Sequence, residues 1–331
     1  MFRKKKSLIA LIVIPLLASS FLASGAKASS SVKKVRIGVI YLDTQGFYGG
    51  VKKGIVDGGN AASEKVVLLE NNALDDPTKE SVFFSTLIAQ KVQAILVSAS
   101  SATASVPAFK AAAAAKIPVI CYNTCIGKAN LSKYVAAYAL GDPVAFGYKL
   151  GVAAANYFTT SGIATPKIAV VNCEFVEVCV FRRAGFEKAL KAKVPGYTIV
   201  ANQKGGDSSA SLTAAQDMLT ANPNINAFFG EYGDATVGAI KAVQNASQTG
   251  KIVVFGGDMT APLANYLIDN KILKAEVDIS GQTMGKTAIK AAINAINGKK
   301  VKNVIIPVHV DLYTTPASAS GWLVAHADGI P

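Results

Sequence analysis

The stretch VRIGVIYLDTQGFYGG, residues 35–50, decides the fold class. Its apolar run VRIGVIYL (35–42) stops at a polar turn, and apolar residues then recur in helical spacing in VKKGIVDGG (51–59). A short apolar strand followed directly by a helix is the beginning of a βαβ unit. Two neighbouring aromatic residues, Phe47 and Tyr48, lie just after this strand, where open parallel sheets bind their ligands.

The same order of strand and helix recurs through the first half of the chain. Helix-compatible segments lie between apolar runs that are rich in valine and isoleucine, and such continuous apolar strands are typical of a parallel sheet covered on both faces. The strands are predicted at 65–71, 92–98 and 117–123, and the helices at 79–91 and 105–116. We therefore predict a doubly wound α/β domain.

The order starts again after LGDPVAFGYKLGVAAANYF (140–158), which predicts a second α/β lobe of similar size and a cleft between the two lobes. The strands of this lobe are predicted at 167–173, 197–203, 226–232 and 251–258, and its helices at 182–192, 211–219 and 235–246.

The first 28 residues have the features of a secretory signal peptide. MFRKKK is basic, residues 7–25 are apolar and AKA (26–28) supplies a cleavage site. A membrane anchor is the alternative, although the apolar run is shorter than the ~20 residues of a spanning helix. Cleavage after Ala28 would lower the formal net charge from +13 to +8 and predicts a periplasmic or secreted protein. The remaining lysines are scattered and lack interleaved aromatic residues, so we expect no binding to nucleic acid.

Four cysteines in an exported chain indicate disulfides. They form two groups, Cys121 and Cys125 in CYNTC and Cys173 and Cys179 in CEFVEVC. We favour pairing within each group, while the two other connectivities remain open. Metal binding is the competing interpretation, but the chain has only two histidines, His309 and His326. We expect neither a metal nor a cofactor.

The residues that follow the predicted strands are aromatic rings, amides, hydroxyls and carboxylates, which suits hydrogen bonding and stacking on a neutral polar ligand. An enzyme is not expected, because the sequence contains no G-x-S-x-G, H-E-x-x-H or G-x-x-x-x-G-K-[ST] motif.

Nearly the whole mature chain resembles the type I periplasmic solute-binding proteins of sugar ABC transporters, the ribose-binding protein group. The resemblance rests on the order and spacing of several motifs, none of them specific alone. These are GFYGG, VQAILVSASS followed by AFKAAAAAKIPVICYN, LGDPVAFGYKLG, RRAGF, MLTANPNINAFFGEYGDATVGAIKAV and VVFGGDMT.

The resemblance implies a set of ligand-binding residues. Phe47 and Tyr48 match the aromatic pair that sandwiches a sugar ring, and Asp258 matches the aspartate of GFD-type motifs. The full implied set is Gln45, Phe47, Tyr48, Ser98, Asn123, Arg182, Tyr232, Asp258 and Asp278.

The polar lining departs from the family at three places. Asn123 and Thr124 stand where sugar binders often have an Asp-Arg pair, Val180 replaces an arginine, and Tyr232 replaces an asparagine. These departures weaken the case for ribose, so we expect a sugar, sugar alcohol or similar polyhydroxylated ligand.

The family fold implies three hinge crossings, at 138–142, 278–282 and 307–311. The lobes would then comprise residues 29–140 plus 280–307 and residues 141–279 plus 308–331. The implied function is delivery of the ligand to an ABC transporter permease by a monomer. The alternatives are a nucleoside or signal-type cyclic ligand, and a sensory role at a chemoreceptor or sensor kinase.

Overall fold

Strands and helices alternate along the first part of the chain. The computed structural model describes residues 1–2, 33–299 and 304–331, so most of the predicted signal peptide lies outside the described residues. The strands up to residue 141 are β1 (Lys34–Tyr41), β2 (Lys65–Asn72), β3 (Ala94–Val97), β4 (Val119–Tyr122) and β5 (Ala137–Gly141). The helices between them are α1 (Gly46–Asn60), α2 (Pro77–Ala89), α3 (Val106–Ala114) and α4 (Lys128–Tyr134).

The second series has the same alternation. It comprises α5 (Pro143–Thr160), β6 (Lys167–Asn172), α6 (Glu177–Lys193), β7 (Thr198–Lys204), α7 (Ser208–Ala221), β8 (Ala227–Gly230), α8 (Gly233–Asn245), β9 (Val253–Gly257), α9 (Ala261–Asp269) and β10 (Leu273–Asp278). The chain ends with α10 (Gly281–Ile296), β11 (Ile305–Val308), β12 (Asp311–Tyr313) and α11 (Pro316–Ala325). Within the described residues no helix combines the length and apolar character needed to cross a membrane.

The strands form two six-stranded sheets. The first has the order β11-β5-β4-β3-β1-β2 and is entirely parallel, and the second has the order β12-β10-β9-β8-β6-β7. In the second sheet only the edge strand β12 is antiparallel to its neighbour. The chain passes between the sheets after β5, β10 and β11, and the predicted fold of two parallel-sheet lobes with three crossings is confirmed.

Burial of the central strands explains why their sequences are continuously apolar. Every residue of β3, β4, β8 and β9 is buried, whereas the edge strands β2 and β7 have no fully buried residue. Both faces of the central strands are covered by helices, as parallel sheets require. The carboxyl ends of these strands lie along one edge of each sheet, and the polar residues that follow them meet there.

Glycines allow α5 and α6 to pack in backbone contact. A Cβ atom on Gly147 of α5 would collide with the carbonyl oxygen of Arg182, and one on Gly185 of α6 would collide with the carbonyl oxygen of Val144. The amino end of α5 is capped by Asp142, whose carboxylate accepts the N–H groups of residues 144 and 145. This packing fixes the first turns of α6, which carry Arg182.

Candidate ligand-binding site

Hydroxyl and amide groups of the first lobe form a connected hydrogen-bond chain after β1, β3 and β4. The Asn123 amide donates to the Tyr48 hydroxyl over 2.8 Å, and that hydroxyl lies 3.1 Å from Ser98 Oγ. Ser98 Oγ in turn lies 2.7 Å from Thr124 Oγ1, which donates to the carbonyl oxygen of Ala99. Three of the predicted residues, Tyr48, Ser98 and Asn123, are therefore brought together.

The backbone of Asn123 is held in a left-handed conformation. Its φ is +56°, which asparagine tolerates better than most residues do. The Asn123 N–H donates to the carbonyl oxygen of Ala139, and its carbonyl oxygen accepts a 2.7 Å hydrogen bond from the Tyr138 hydroxyl. With the backbone fixed on both sides, the amide is aimed at Tyr48.

The second lobe contributes a buried ion pair. The Arg182 guanidinium donates to both carboxylate oxygens of Asp258, at 3.0 and 3.2 Å, and to the carbonyl oxygen of Glu231 at 2.7 Å. Its planar group also lies 3.9 Å above the centre of the Phe146 ring. Arg182 is 3% exposed and Asp258 is 7% exposed, so the pair is held in a site of low dielectric.

The Tyr48 hydroxyl, within the hydrogen-bond chain of the first lobe, has a raised pKa. Burial raises this pKa to about 12, against the opposing hydrogen bonds from Ser98 and Asn123, and the charges of Asp258 and Arg182 also act on it. The Tyr48 hydroxyl is therefore neutral at physiological pH.

Three predicted residues have other surroundings. Gln45 is exposed at the start of α1, Phe47 packs in the hydrophobic core with its ring against the edge of Tyr48, and the Tyr232 hydroxyl donates to the carbonyl oxygen of Gly206. Of the two aromatic residues, Tyr48 is therefore the one that joins the hydrogen-bond chain, through its hydroxyl. Contact of these three side chains with a ligand stays a prediction.

Buried carboxyl groups follow or end three adjacent strands of the second sheet. Burial raises the pKa of Glu231 to about 8 and that of Asp278 to about 7. Glu276 is fully buried, and burial together with the charges of Asp258 and Asp278 raises its pKa well above the usual range. Asp278, the predicted contact near the lobe crossing, accepts a 3.1 Å hydrogen bond from Nε1 of Trp322.

Sequence reasoning overlooked three residues of this neighbourhood. Phe146 lies under the Arg182 guanidinium, Trp322 holds Asp278, and Glu276 points its carboxyl into the protein. Of the three, Glu276 is the one that the sequence could have indicated, because in LKAEVD (273–278) its carboxylate stands between the apolar residues Ala275 and Val277. Nothing in the sequence connects Phe146 or Trp322 with partners 36 and 44 positions away.

Both disulfides are local, as expected, and each lies within one lobe. Cys121 in β4 is bonded to Cys125 in the loop that follows, and Cys173 to Cys179 at the start of α6. The Cys173 N–H donates to Glu231 Oε2 over 2.9 Å. The second disulfide therefore holds the loop that leads to Arg182 against the strand end that carries Glu231.

We expect replacement of Cys173 and Cys179 by alanine to lower the free energy of unfolding by about 2 kcal/mol, because a seven-residue loop is then no longer closed in the unfolded chain. Urea denaturation with and without the double substitution measures this loss. The matched control is Cys121→Ala with Cys125→Ala, for which a similar loss is expected. Unchanged midpoints for both double variants would contradict the expectation.

Two α/β lobes, three crossings and a polar cleft at the strand ends define a two-lobed ligand-binding protein. The sequence model described as "Periplasmic binding protein domain" matches residues 37–300. The chain therefore belongs to the periplasmic binding proteins, which bind solutes and are not enzymes.

Individual relatives extend over most of the chain. It is 48% identical over 316 residues to the ABC transporter periplasmic-binding protein YphF of Escherichia coli K12, covering 96% of this chain and 97% of that protein. It is 26% identical to the ribose import binding protein RbsB of Bacillus subtilis 168, and the match covers 78% of this chain and 80% of that protein.

Solved structures share the fold. A galactofuranose binding protein has a TM-score of 0.82 at 19% identity, covering 89% of this chain and 99% of that one. A solute binding protein from Bacillus halodurans with bound myo-inositol has a TM-score of 0.79 at 18% identity, and the match covers 90% of this chain and 100% of that one.

Proposed function

We propose that this protein captures a sugar, sugar alcohol or similar polyhydroxylated molecule between its lobes and delivers it to an ABC transporter permease. The observation that carries the proposal is the hydrogen-bond chain of the first lobe, from Asn123 through Tyr48 and Ser98 to Thr124, which lies at the strand ends where open parallel sheets bind ligands. The names of the relatives support it, since they include ribose import and D-allose-binding proteins.

The chemistry of these groups suits a polyol. Each hydroxyl of a sugar both donates and accepts a hydrogen bond, and the hydroxyls and amide of the first lobe can do the same. The Asp258 carboxylate accepts charge-assisted hydrogen bonds, which are the stronger kind. A ligand held by both lobes would receive contacts that neither lobe supplies alone, so binding favours the closed arrangement.

We also propose the details of export and movement. The signal peptide is cleaved after Ala28, and the mature monomer works in the periplasm or outside the cell. Residues 29–140 plus 280–307 and residues 141–279 plus 308–331 move as two bodies about the crossings. The permease recognises their closed form.

A thermal-shift screen of the mature chain from Ser29 tests the function. The panel contains pentoses, hexoses, sugar alcohols, inositols and nucleosides. A ligand that binds only the folded form stabilises it by about 4 kcal/mol at a thousandfold excess over Kd. We expect one carbohydrate or polyol to raise the melting temperature clearly more than the other compounds do. A shift with nucleosides alone, or with no compound, would refute the proposal.

The first-lobe hydrogen-bond chain provides a sharper prediction. Tyr48→Phe removes the hydroxyl that Asn123 and Ser98 share, and Asn123→Gly removes the amide while keeping the left-handed backbone. Each change should weaken binding of the identified ligand about tenfold, because a buried polar partner is lost. Calorimetric titration measures this.

The matched control is Tyr134→Phe, a tyrosine of α4 that lies outside the cluster. Its Kd should equal that of the unchanged protein. Equal affinity of all three variants would show that the ligand does not touch the first-lobe chain.

A further inference from the structure

A cavity of about 410 Å³ lies between the lobes beside the candidate site. Its first-lobe wall is the segment after β3, residues 99–103, together with Thr124, Cys125 and Tyr138. Its second-lobe wall is the loop and first turns of α6, which contribute Phe175, Val176, Glu177, Val178, Val180 and Phe181. Thr124 belongs to both the cavity and the hydrogen-bond chain that ends at Tyr48, so the cavity adjoins the site.

The two walls differ in chemistry. The first lobe presents hydroxyl-bearing side chains, namely Ser101, Thr103, Thr124 and Tyr138, while the second presents two phenyl rings, three valines and the carboxylate of Glu177. Ser100, on the same first-lobe wall, is 7% exposed, and its N–H donates to Glu80 Oε2 over 2.6 Å.

The aromatic wall is also unusually exposed. Phe175, Val180 and Phe181 are 47%, 46% and 42% exposed, although large apolar side chains are ordinarily buried. Nζ of Lys204 lies 4.3 Å from the centre of the Phe175 ring, so one face of this ring is covered. The other face of Phe175, together with Val180 and Phe181, forms an apolar patch that a bound group would cover. A hydroxyl-rich wall opposite an aromatic wall suits a sugar ring, which has polar edges and apolar C–H faces.

We infer that this cavity is a second sugar subsite and that the ligand is a disaccharide or a glycosylated polyol. One unit would occupy the site around Tyr48 and Asp258. The second would place its C–H face against Phe175 and Phe181 and its hydroxyls against Ser101 and Thr103. The inference rests on the proposed function, which it narrows from polyhydroxylated molecules in general to two-unit carbohydrates.

Calorimetric titration of the mature protein with matched sugars tests the subsite. The two-unit probes are lactose, melibiose, maltose, sucrose and galactinol, and the one-unit probes are D-glucose, D-galactose, D-fructose and myo-inositol. We expect one two-unit probe to bind at least about tenfold more tightly than either of its components, because the second ring buries aromatic surface. Phe181→Ala and Phe175→Ala should each abolish this advantage and leave the affinity for the one-unit probes unchanged.

The control is Tyr148→Ala on α5, since Tyr148 is also 42% exposed but does not line the cavity. The Tyr148→Ala variant should still bind the two-unit probe at least about tenfold more tightly than its one-unit components. Binding of one-unit probes with no tighter two-unit probe would overturn the subsite and leave the proposed function intact. An advantage that survives both phenylalanine substitutions would also overturn it, and so would binding of no probe at all, whereas the proposed function is decided by the wider thermal-shift panel.

Discussion

Arg182→Met is expected to lower the free energy of unfolding by about 4 kcal/mol at neutral pH, because it leaves a buried carboxylate without its partner. In the folded protein the guanidinium binds both oxygens of Asp258 and the carbonyl oxygen of Glu231. Methionine fills most of the volume above the Phe146 ring but supplies no donor. Urea denaturation followed by circular dichroism measures the loss, provided that the slope of the transition is unchanged.

The neighbouring arginine provides a matched control. Arg183 lies one position further along α6 and forms ion pairs with Glu174 and Glu187, but its side chain is 20% exposed. Arg183→Met should cost at most about 1 kcal/mol, because partly solvated ion pairs contribute little.

A second substitution separates the unpaired charge from lost packing. Adding Asp258→Asn to Arg182→Met removes the charge, and asparagine accepts the positive φ at position 258. The double variant should therefore be more stable than Arg182→Met alone. Equal losses for Arg182→Met and Arg183→Met, or no recovery in the double variant, would show that the buried pair does not stabilise the fold.

The sequence predicts the fold well because most of the inner strands carry their own signal. The middle parts of β1, β3, β4, β6, β8 and β9 are continuously apolar, and burial on both faces of a sheet is the reason. The short helix α4 and the antiparallel edge strand β12 were not anticipated. α4 has no buried residue, and β12 has only three residues, so neither has an apolar pattern of its own.

The candidate site is only partly readable from the sequence. Tyr48, Ser98 and Asn123 follow strands that end along one edge of the sheet, and their side chains meet there, while their contact with a ligand stays a prediction. Position at a strand end does not determine where each side chain points. Adjacent residues project differently, so Phe47 enters the core while Tyr48 reaches the cleft.

Arg182 illustrates a second limit of the sequence. Its position in RRAGF is the same whether it contacts a ligand or a carboxylate of its own lobe. The distinction depends on Asp258, 76 positions away, and on the close packing of α5 against α6. Such long-range partners leave no local pattern in one sequence.

The stability of this protein should fall as the pH rises from about 5 to about 8. Burial raises the pKa of Glu231 from 4.5 to about 8 and that of Asp278 from 3.8 to about 7. Within these windows the folded chain retains protons that the unfolded chain has released, so each increase in pH favours unfolding. For Glu231 alone the loss between pH 5 and pH 8 is about 3 kcal/mol, since each pKa unit corresponds to about 1.4 kcal/mol.

Glu231→Gln tests the origin of this loss. Glutamine resembles the protonated acid, and its carbonyl oxygen can still accept the N–H of Cys173. The variant should match the unchanged protein near pH 5 and exceed its stability by about 3 kcal/mol near pH 8. Urea denaturation at intervals across this range gives both curves.

The same substitution at a carboxylate that is not buried in the core, Glu64, shows whether the effect of Glu231→Gln is due to burial or to the loss of any negative charge. Hydrogen bonds from Asn297 and Ser63 lower the pKa of Glu64, which is partly exposed, so it is ionised throughout the window, and Glu64→Gln should leave the slope unchanged. The ionised Glu64 stabilises the fold, and this contribution would be lost only as the pH falls below about 4.5. The pH dependence due to Glu64 is therefore opposite in direction to that due to Glu231. If Glu231→Gln and Glu64→Gln gave parallel curves, the buried carboxyl would be ionised already at low pH. A salt bridge or a bound cation would then have to compensate for its charge.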